Sequence, residues 1–325
     1  MRRWALAISL GLGLGLGLMG ASALAQTSPI QLEDGDVARF WTAYDAVRAA
    51  DTPEAQKAAF QRLYIDQGTP GLAAFMEAKG YTADTYLNAI RAYPAYWDSV
   101  RPRTALATGA LTRLEGHLER FKTLYPELRP AGIYFEVGAL RSAGTTQGDK
   151  VLLGVEMATG DASVDISEMP PGLQRFFGSY FASKPLDNLD LLAVHEVVHT
   201  QQIGERNSLL SQAVYEGVAD FVAEQVTGRM PDLAYVAYGP ANDAAIKTAF
   251  RRDMAGEDFS GWLYNNTDNA FGVRDLGYYV GYAVTRGYYD RAPDKAAALK
   301  TMIELDYSDP AAVQTFVEAS GYLAD

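Results

Sequence analysis

The sequence predicts a mainly α-helical protein with a small antiparallel β-sheet, which places it in the α+β class. Apolar residues recur at helical spacing through most of residues 36–125 and again in the last third of the chain. Two short aliphatic segments between these regions are typical of β-strands. The chain has 325 residues and no cysteine, so a hydrophobic core rather than disulfides must stabilise it.

The first 25 residues are typical of a secretory signal peptide. Arg2 and Arg3 precede an uncharged apolar segment from Trp4 to Met19, and Ala23-Leu24-Ala25 forms an A-x-A cleavage site. An uncleaved membrane anchor is the alternative, although glycines dilute the apolar segment. We therefore expect an exported protein, periplasmic or extracellular, with no stable membrane insertion after cleavage. The net charge of −12 argues against a nucleic-acid or anionic-membrane partner.

Residues 26–130 are predicted to form an N-terminal helical region that serves as core and scaffold. Phe40, Trp41 and Tyr44 lie on one apolar stripe, and proline and glycine interrupt the pattern at Thr69-Pro70-Gly71. The helical pattern resumes at residues 104–124 and stops before Pro126.

Residues 131–158 are predicted to form the small sheet. Residues 133–137 and 151–155 read as strands, and the polar, glycine-containing segment 141–148 between them reads as a flexible loop. Glu156, at the end of the second strand, is predicted to be a surface acid, with binding of a substrate amine as the alternative.

The chemistry of the chain is indicated by His195-Glu196-Val197-Val198-His199, an HExxH motif in a predicted helix over about 187–202. Two histidines four residues apart lie on the same helix face, where both can bind one zinc ion. The glutamate beside them can act as base on a water molecule held by that zinc. The absence of cysteine excludes thiolate ligands, so the third ligand must be histidine, aspartate or glutamate.

Glu216 is the best candidate for the third ligand. It lies in a second predicted helix, about 208–227, that begins at Asn207 or Ser208 and ends at Gly228. If the two helices form an antiparallel hairpin centred between residues 207 and 208, Glu216 faces His199. The same register places Asp220 opposite His195, where it can accept the free N–H of the imidazole and fix its tautomer.

Two other residues have side chains that can bind a metal ion. His117 is the only histidine outside the motif, and its charged surroundings indicate a solvated helix face. Glu205 stands where the metzincin pattern requires a third histidine, and it remains a fallback ligand.

An HExxH motif followed by ExxxD resembles the gluzincin clan of zinc metallopeptidases. The wider sequence also resembles a poorly characterised bacterial group of predicted zinc proteases related to a gliding-motility lipoprotein family, although this chain lacks a lipidated cysteine. The resemblance implies zinc bound by His195, His199 and Glu216, with Glu196 as general base and Asp220 supporting the first histidine. It also implies a gluzincin-like zinc-peptidase core within residues 131–325, flanked by N- and C-terminal helical regions, with an edge strand that holds an extended peptide.

The clan often uses a tyrosine beyond the third ligand to stabilise the oxyanion. Tyr278 best matches this role, with Tyr279 and Tyr282 as further candidates and Arg274 as a weaker one, while aromatic core packing is the alternative for each tyrosine. The expected function is therefore an exported zinc metallopeptidase that acts on peptides or proteins. The alternatives are a zinc-binding cell-envelope protein with an assembly role and no proteolysis, and a helical binding module without metal.

Overall fold

The computed structural model describes residues 28–265 and 267–324, and the predicted signal peptide at residues 1–25 lies outside them. Within this part, the chain is mostly helical with one small sheet, in agreement with the predicted α+β class. None of the described helices is both long and apolar enough to cross a membrane.

The N-terminal half begins with a short strand and continues as a helical layer around an aromatic core. Its elements are β1 (Ile30–Glu33), α1 (Gly35–Ala49), α2 (Pro53–Phe60), α3 (Pro70–Lys79), α4 (Ala83–Ala92), α5 (Pro94–Thr104) and α6 (Ala107–Leu124). The apolar stripe predicted on α1 is buried, and the Phe40 ring contacts those of Tyr64 and Trp97 at centroid distances of 5.3 and 5.2 Å. The helical character predicted for residues 36–125 is confirmed.

The sheet is mixed, so the prediction of an antiparallel sheet is wrong. Strands β2 (Ala131–Glu136), β3 (Thr145–Gln147) and β4 (Lys150–Gly154) join β1 in the order β1-β2-β4-β3. Strand β2 runs parallel to both β1 and β4, and only β3 is antiparallel to its neighbour β4. The predicted flexible loop contains β3, which turns into β4 at Gly148 with φ of +59°. This extra hairpin reverses the chain, so β4 runs in the same direction as β2.

The C-terminal half is again helical. Its elements are α7 (Val155–Ala158), α8 (Pro171–Ala182), α9 (Leu189–Gln201), α10 (Leu209–Thr227), α11 (Ala234–Ala241), α12 (Asp243–Asp253), α13 (Leu276–Arg291), α14 (Lys295–Ile303) and α15 (Pro310–Ser320). Helices α9 and α10 form the hairpin on which the HExxH motif and Glu216 lie, and α9 packs against β2, β3 and β4.

Helices α10 and α13 touch through their backbones at two glycines. A Cβ atom on Gly217 would lie 1.9 Å from the carbonyl carbon of Gly281, and one on Gly281 would lie 1.7 Å from the carbonyl oxygen of Ala213. Glycine is therefore required at both positions for this approach. The contact holds Tyr278, one turn before Gly281, next to the HExxH helix.

Candidate metal centre

The two helices that carry the site are defined by local sequence signals. The Ser208 hydroxyl accepts the backbone N–H of Ser211 at 3.1 Å and starts α10 with a capping box. Gly228, with φ of +79°, ends the helix, as predicted. Almost every residue of α9 and α10 is buried, because both helices lie inside the molecule rather than on its surface.

Three side chains from this hairpin direct their donor atoms at one point. Nε2 of His195 lies 3.0 Å from Nε2 of His199, and each lies 3.2 Å from Oε2 of Glu216. His195 and Glu216 are buried, and the side chain of His199 is only 7% exposed. These three residues form a group that could hold a metal ion. The hairpin has the register that the sequence predicts.

Asp220 forms a hydrogen bond with the ring nitrogen of His195 that faces away from Glu216. Its Nδ1 lies 2.9 Å from Oδ1 of Asp220, and the other oxygen of this carboxylate accepts the Tyr235 hydroxyl at 2.8 Å. An aspartate accepts hydrogen bonds when ionised, so Nδ1 of His195 carries the proton. When the imidazole is neutral, as a metal ligand must be, its Nε2 atom has a lone pair that faces Glu216.

His199 is held in the same way by Gln202, a residue whose role the sequence analysis did not identify. Nδ1 of His199 lies 2.6 Å from Oε1 of Gln202. The amide nitrogen of Gln202 donates to the Tyr215 carbonyl at 2.9 Å and to the Tyr307 hydroxyl at 3.0 Å, which fixes the orientation of the amide. In the neutral imidazole of His199, Nδ1 therefore carries the proton and Nε2 has the lone pair.

The donor set could hold a metal ion, and its spacing can be compared with that of zinc ligands. While both Nε2 atoms are unprotonated, they and the carboxylate oxygen repel one another, and a metal ion bound between them would remove this repulsion. Zinc bonds of roughly 2.0–2.1 Å in a tetrahedron separate neighbouring donor atoms by roughly 3.3–3.4 Å, close to the observed spacing.

The second oxygen of Glu216 is held by two groups that the sequence analysis missed. Oε1 accepts the Gln212 side-chain amide at 3.0 Å and a short hydrogen bond from the Tyr264 hydroxyl. Tyr264 lies in the segment between α12 and α13 with φ of +55°, a left-handed backbone that is uncommon for tyrosine. Together these bonds orient Glu216 so that Oε2 faces the histidines.

Glu196 is buried beside the ligands, with 9% of its surface exposed. Burial raises the pKa of its carboxyl, and the neighbouring His199 and His195 act in the opposite direction. A Cβ atom added to Gly144, the residue before β3, would lie 3.4 Å from Oε1 of Glu196. The edge strand of the sheet therefore begins directly beside this carboxylate.

The three candidate tyrosines of α13 lie in different surroundings. The Tyr278 ring stacks on His195 with centroids 6.2 Å apart, and its hydroxyl has no hydrogen-bond partner among the residues described. Tyr279 instead donates to Asp243 at 2.8 Å, and Tyr282 donates to Glu224 at 2.7 Å. The structure thus brings only Tyr278 of these three to the metal ligands. The prediction that Tyr279 is catalytic has no contact to support it, because its side chain leaves α13 in another direction.

The remaining candidates lie away from the ligands. Nε2 of His117 lies 3.1 Å from Oδ2 of Asp190, so this histidine is a half-buried partner of an acid and not a solvated one. Glu205 is exposed in the turn between α9 and α10. Arg274 is exposed and pairs with Asp275 at 2.6 Å.

Glu156 is fully buried, so the prediction of a surface acid is wrong. Its carboxylate accepts the backbone N–H groups of Gly138 at 2.9 Å and Leu140 at 3.3 Å. These bonds fix the segment that follows β2, and they leave the carboxylate no access to a substrate amine.

Comparison of the chain with models of known protein families, with curated proteins and with solved structures gave no match.

Proposed function

We propose that this chain is an exported zinc-dependent hydrolase and that its substrates are peptides or proteins. The proposal rests on the convergence of two imidazole lone pairs and one carboxylate oxygen within 3.0–3.2 Å. A hydrogen bond to the other polar atom of each side chain fixes its orientation. Such hydrogen-bonded support is what metal-binding histidines require. Glu196 lies in the same helix turn as the two histidines, beside the coordination position that three ligands would leave free. Its presence there supports a catalytic rather than a structural role for the zinc.

In this mechanism, His195, His199 and Glu216 hold the zinc. When bound, zinc would polarise the substrate carbonyl and lower the pKa of a water molecule toward roughly 7. Glu196 takes the proton of the attacking water and passes it to the departing amine. Burial favours this exchange, because it raises the pKa of Glu196 toward the range in which a carboxyl group both accepts and releases a proton.

Two further groups complete the proposed site. The Tyr278 hydroxyl, unpaired among the described residues and carried by a ring that stacks on His195, is the donor that we assign to the developing oxyanion. Strand β3 is an edge of the sheet and begins beside Glu196. An extended peptide can pair with such an edge through its backbone, and this supports peptides as the substrate class.

The proposal is tested by Glu196→Gln in the zinc-loaded protein. We expect the variant to keep zinc and to lose roughly 10²- to 10⁴-fold in peptide hydrolysis, because the base is removed and the ligands remain. Turnover of a peptide library is measured by mass spectrometry, with zinc content measured on the same samples. Glu205→Gln, which changes an exposed acid away from the ligands, is the matched control and should retain activity.

Chelation should abolish the wild-type activity, and added zinc should restore it. Full turnover by Glu196→Gln would refute the mechanism. A wild-type protein that binds zinc but cleaves no peptide would instead favour an assembly or binding role in the cell envelope.

A further inference from the structure

Arg206, in the turn between α9 and α10, contacts two side chains that support the proposed zinc ligands. Its guanidinium carbon lies 4.2 Å from the centroid of the Tyr215 ring, and its Nε donates to Oε1 of Gln212 at 3.2 Å. The side chain is half-buried, and within the described part of the chain it donates only to neutral acceptors, Gln212 and the Gly204 carbonyl. Its contacts are therefore those of a group that holds its neighbours in place.

The first of these neighbours, Tyr215, stacks on His199. The two rings lie with centroids 4.3 Å apart and planes 4° from parallel. The Tyr307 ring meets Tyr215 nearly at a right angle with centroids 5.1 Å apart, and only 8% of Tyr215 is exposed. Arg206, Tyr215 and His199 thus form one continuous stack within a packed part of the molecule.

The stack fixes a degree of freedom of His199 that its hydrogen bond leaves open. The bond from Nδ1 to Gln202 sets the direction of one ring atom, but the imidazole can still tilt about that bond. A parallel ring packed against its face prevents this tilt. Both constraints are needed to aim Nε2, since a ligand must be held within roughly 10–20° of its productive direction.

His195 has support of the same kind with a different balance. Its acceptor is a carboxylate, Asp220, and its neighbouring ring, Tyr278, lies 6.2 Å away at an angle of 29°. His199 has a neutral amide as its acceptor and a closer, more parallel ring in Tyr215. Because a bond to a charged acceptor is the stronger, the orientation of His199 depends more on its stack.

The second neighbour of Arg206, Gln212, supports Glu216. The amide nitrogen of Gln212 donates to Oε1 of Glu216 at 3.0 Å and approaches the Tyr264 hydroxyl at 2.7 Å. It can donate to Glu216 only while the amide oxygen faces the other way, and Nε of Arg206 holds that oxygen. Arg206 therefore sets the orientation of the amide on which Glu216 depends.

We propose that Arg206 is a positioning residue of the metal centre, which orients His199 through the Tyr215 ring and Glu216 through the Gln212 amide. The inference rests on the proposed function, because it takes His199 and Glu216 as zinc ligands. None of the hydrogen bonds of Arg206 reaches a ligand, so its effect is on how tightly the ligands hold zinc.

The test measures zinc affinity of the full chain by competition with a chromophoric chelator. Arg206→Met keeps an unbranched apolar side chain and removes the guanidinium, and we expect it to weaken zinc binding roughly 10-fold. Arg101→Met is the matched control. Arg101 also lies over an aromatic ring, that of Trp41 at 5.0 Å, but it pairs with Asp45 and contacts none of the three proposed ligands. Its replacement should leave zinc affinity unchanged.

Substitutions of Tyr215 separate the stack from simple core filling. Tyr215→Leu should weaken zinc binding roughly 10- to 100-fold, and Tyr215→Phe, which keeps the ring, should bind zinc nearly as wild type does. Tyr288→Leu is the control, because Tyr288 lies 4.3 Å from the Phe316 ring and away from the ligands. A structural role alone would lower the melting temperature of the metal-free protein in both leucine variants and leave zinc affinity unchanged.

Double variants test the two routes by which Arg206 acts. Arg206→Met should cost less zinc affinity when Tyr215 is already leucine, and less when Gln212 is already methionine, because residues that act through one contact are not additive. Full additivity in both pairs would overturn the proposed routes.

The outcomes also separate this inference from the proposed function. Tight zinc binding by wild type that Arg206→Met and Tyr215→Leu both retain would overturn the inference and leave the proposed function intact. A wild-type protein that binds no zinc would overturn the proposed function and this inference with it.

Discussion

Two sets of buried acids lie in this molecule, and they are stabilised in opposite ways. In the metal centre, Glu216 and Asp220 face histidines. In what we call the sheet cluster, Asp36, Glu136 and Glu156 lie between the N-terminal helices and the sheet. Within the described residues, neither carboxylate oxygen of Glu136 has a hydrogen-bond partner.

The pKa values of Glu216 and Glu136 move in opposite directions. Burial acts to raise the pKa of Glu216, but His199 and His195 hold it well below its ordinary value. Burial raises the pKa of Glu136 well above its ordinary value, and the Asp36 and Glu156 carboxylates raise it further. The metal centre therefore keeps its carboxylate charged and suited to a cation, whereas the sheet cluster stabilises a protonated acid.

The largest expected effect is on zinc affinity when one acid of each set is replaced. Glu216→Ala should weaken zinc binding on the order of 10³-fold, because it deletes one of the three proposed ligands. Glu136→Gln should leave zinc affinity unchanged, since the amide resembles the protonated carboxyl that burial favours at this position. Zinc retained after dialysis against a graded series of chelator concentrations measures both.

Wild-type zinc affinity in Glu216→Ala would show that Glu216 is not a ligand. Loss of zinc from a folded Glu136→Gln would show that the two sets of acids are coupled rather than independent.

The next largest effect concerns pH and the sheet cluster. Burial raises the pKa of Glu156 to about 7, while the backbone N–H groups of Gly138 and Leu140 act to lower it. The backbone carbonyl of Glu156 accepts the Tyr96 hydroxyl at 2.7 Å, which fixes this residue further. Because the folded state holds the proton more tightly than the unfolded state, the stabilisation is complete below the unfolded pKa of roughly 4.5 and is lost as pH rises through 7.

Glu156→Gln should remove this pH dependence. Between about pH 4.5 and pH 8, the free energy of unfolding of wild type should fall by up to about 3 kcal/mol relative to that of the variant. Urea unfolding at each pH measures the two curves, and the other titrating groups contribute equally to both. Parallel curves would mean that Glu156 is ionised in the folded protein at neutral pH.

The same contrast explains which parts of the molecule the sequence could predict. The α9–α10 hairpin is local, because helical periodicity, the cap at Ser208 and a short turn together set the register that pairs Glu216 with His199. The mixed sheet is non-local. Strand β1 pairs with β2 about 100 residues later in the sequence, and neither strand carries a pattern that specifies its partner or direction.

The supporting contacts of the metal centre could be predicted only in part. The hairpin register predicts the contact between Asp220 and His195. The contact of Tyr264 could not be predicted, because this residue lies in an irregular segment with a left-handed backbone and outside any periodic apolar pattern. Adjacent tyrosines of α13 differ by about 100° in direction around the helix. Which of Tyr278 and Tyr279 faces His195 therefore depends on the crossing at Gly217 and Gly281, a packing detail that helical periodicity alone does not give.

The smallest expected effect tests whether Asp220 acts through His195 or only fills the core. Asp220→Asn should lower zinc affinity by roughly 10- to 100-fold, because the amide no longer holds the imidazole proton on Nδ1 by its charge. Asp243→Asn is the matched control, since Asp243 also accepts tyrosine hydroxyls, from Tyr279 and Tyr322, but contacts none of the three proposed ligands. A purely structural role would lower the melting temperature in both variants and leave zinc affinity intact. A selective loss of zinc affinity in Asp220→Asn would show that Asp220 acts on the metal through the histidine that it supports. The acids of the sheet cluster contact none of the three proposed ligands and cannot act in this way.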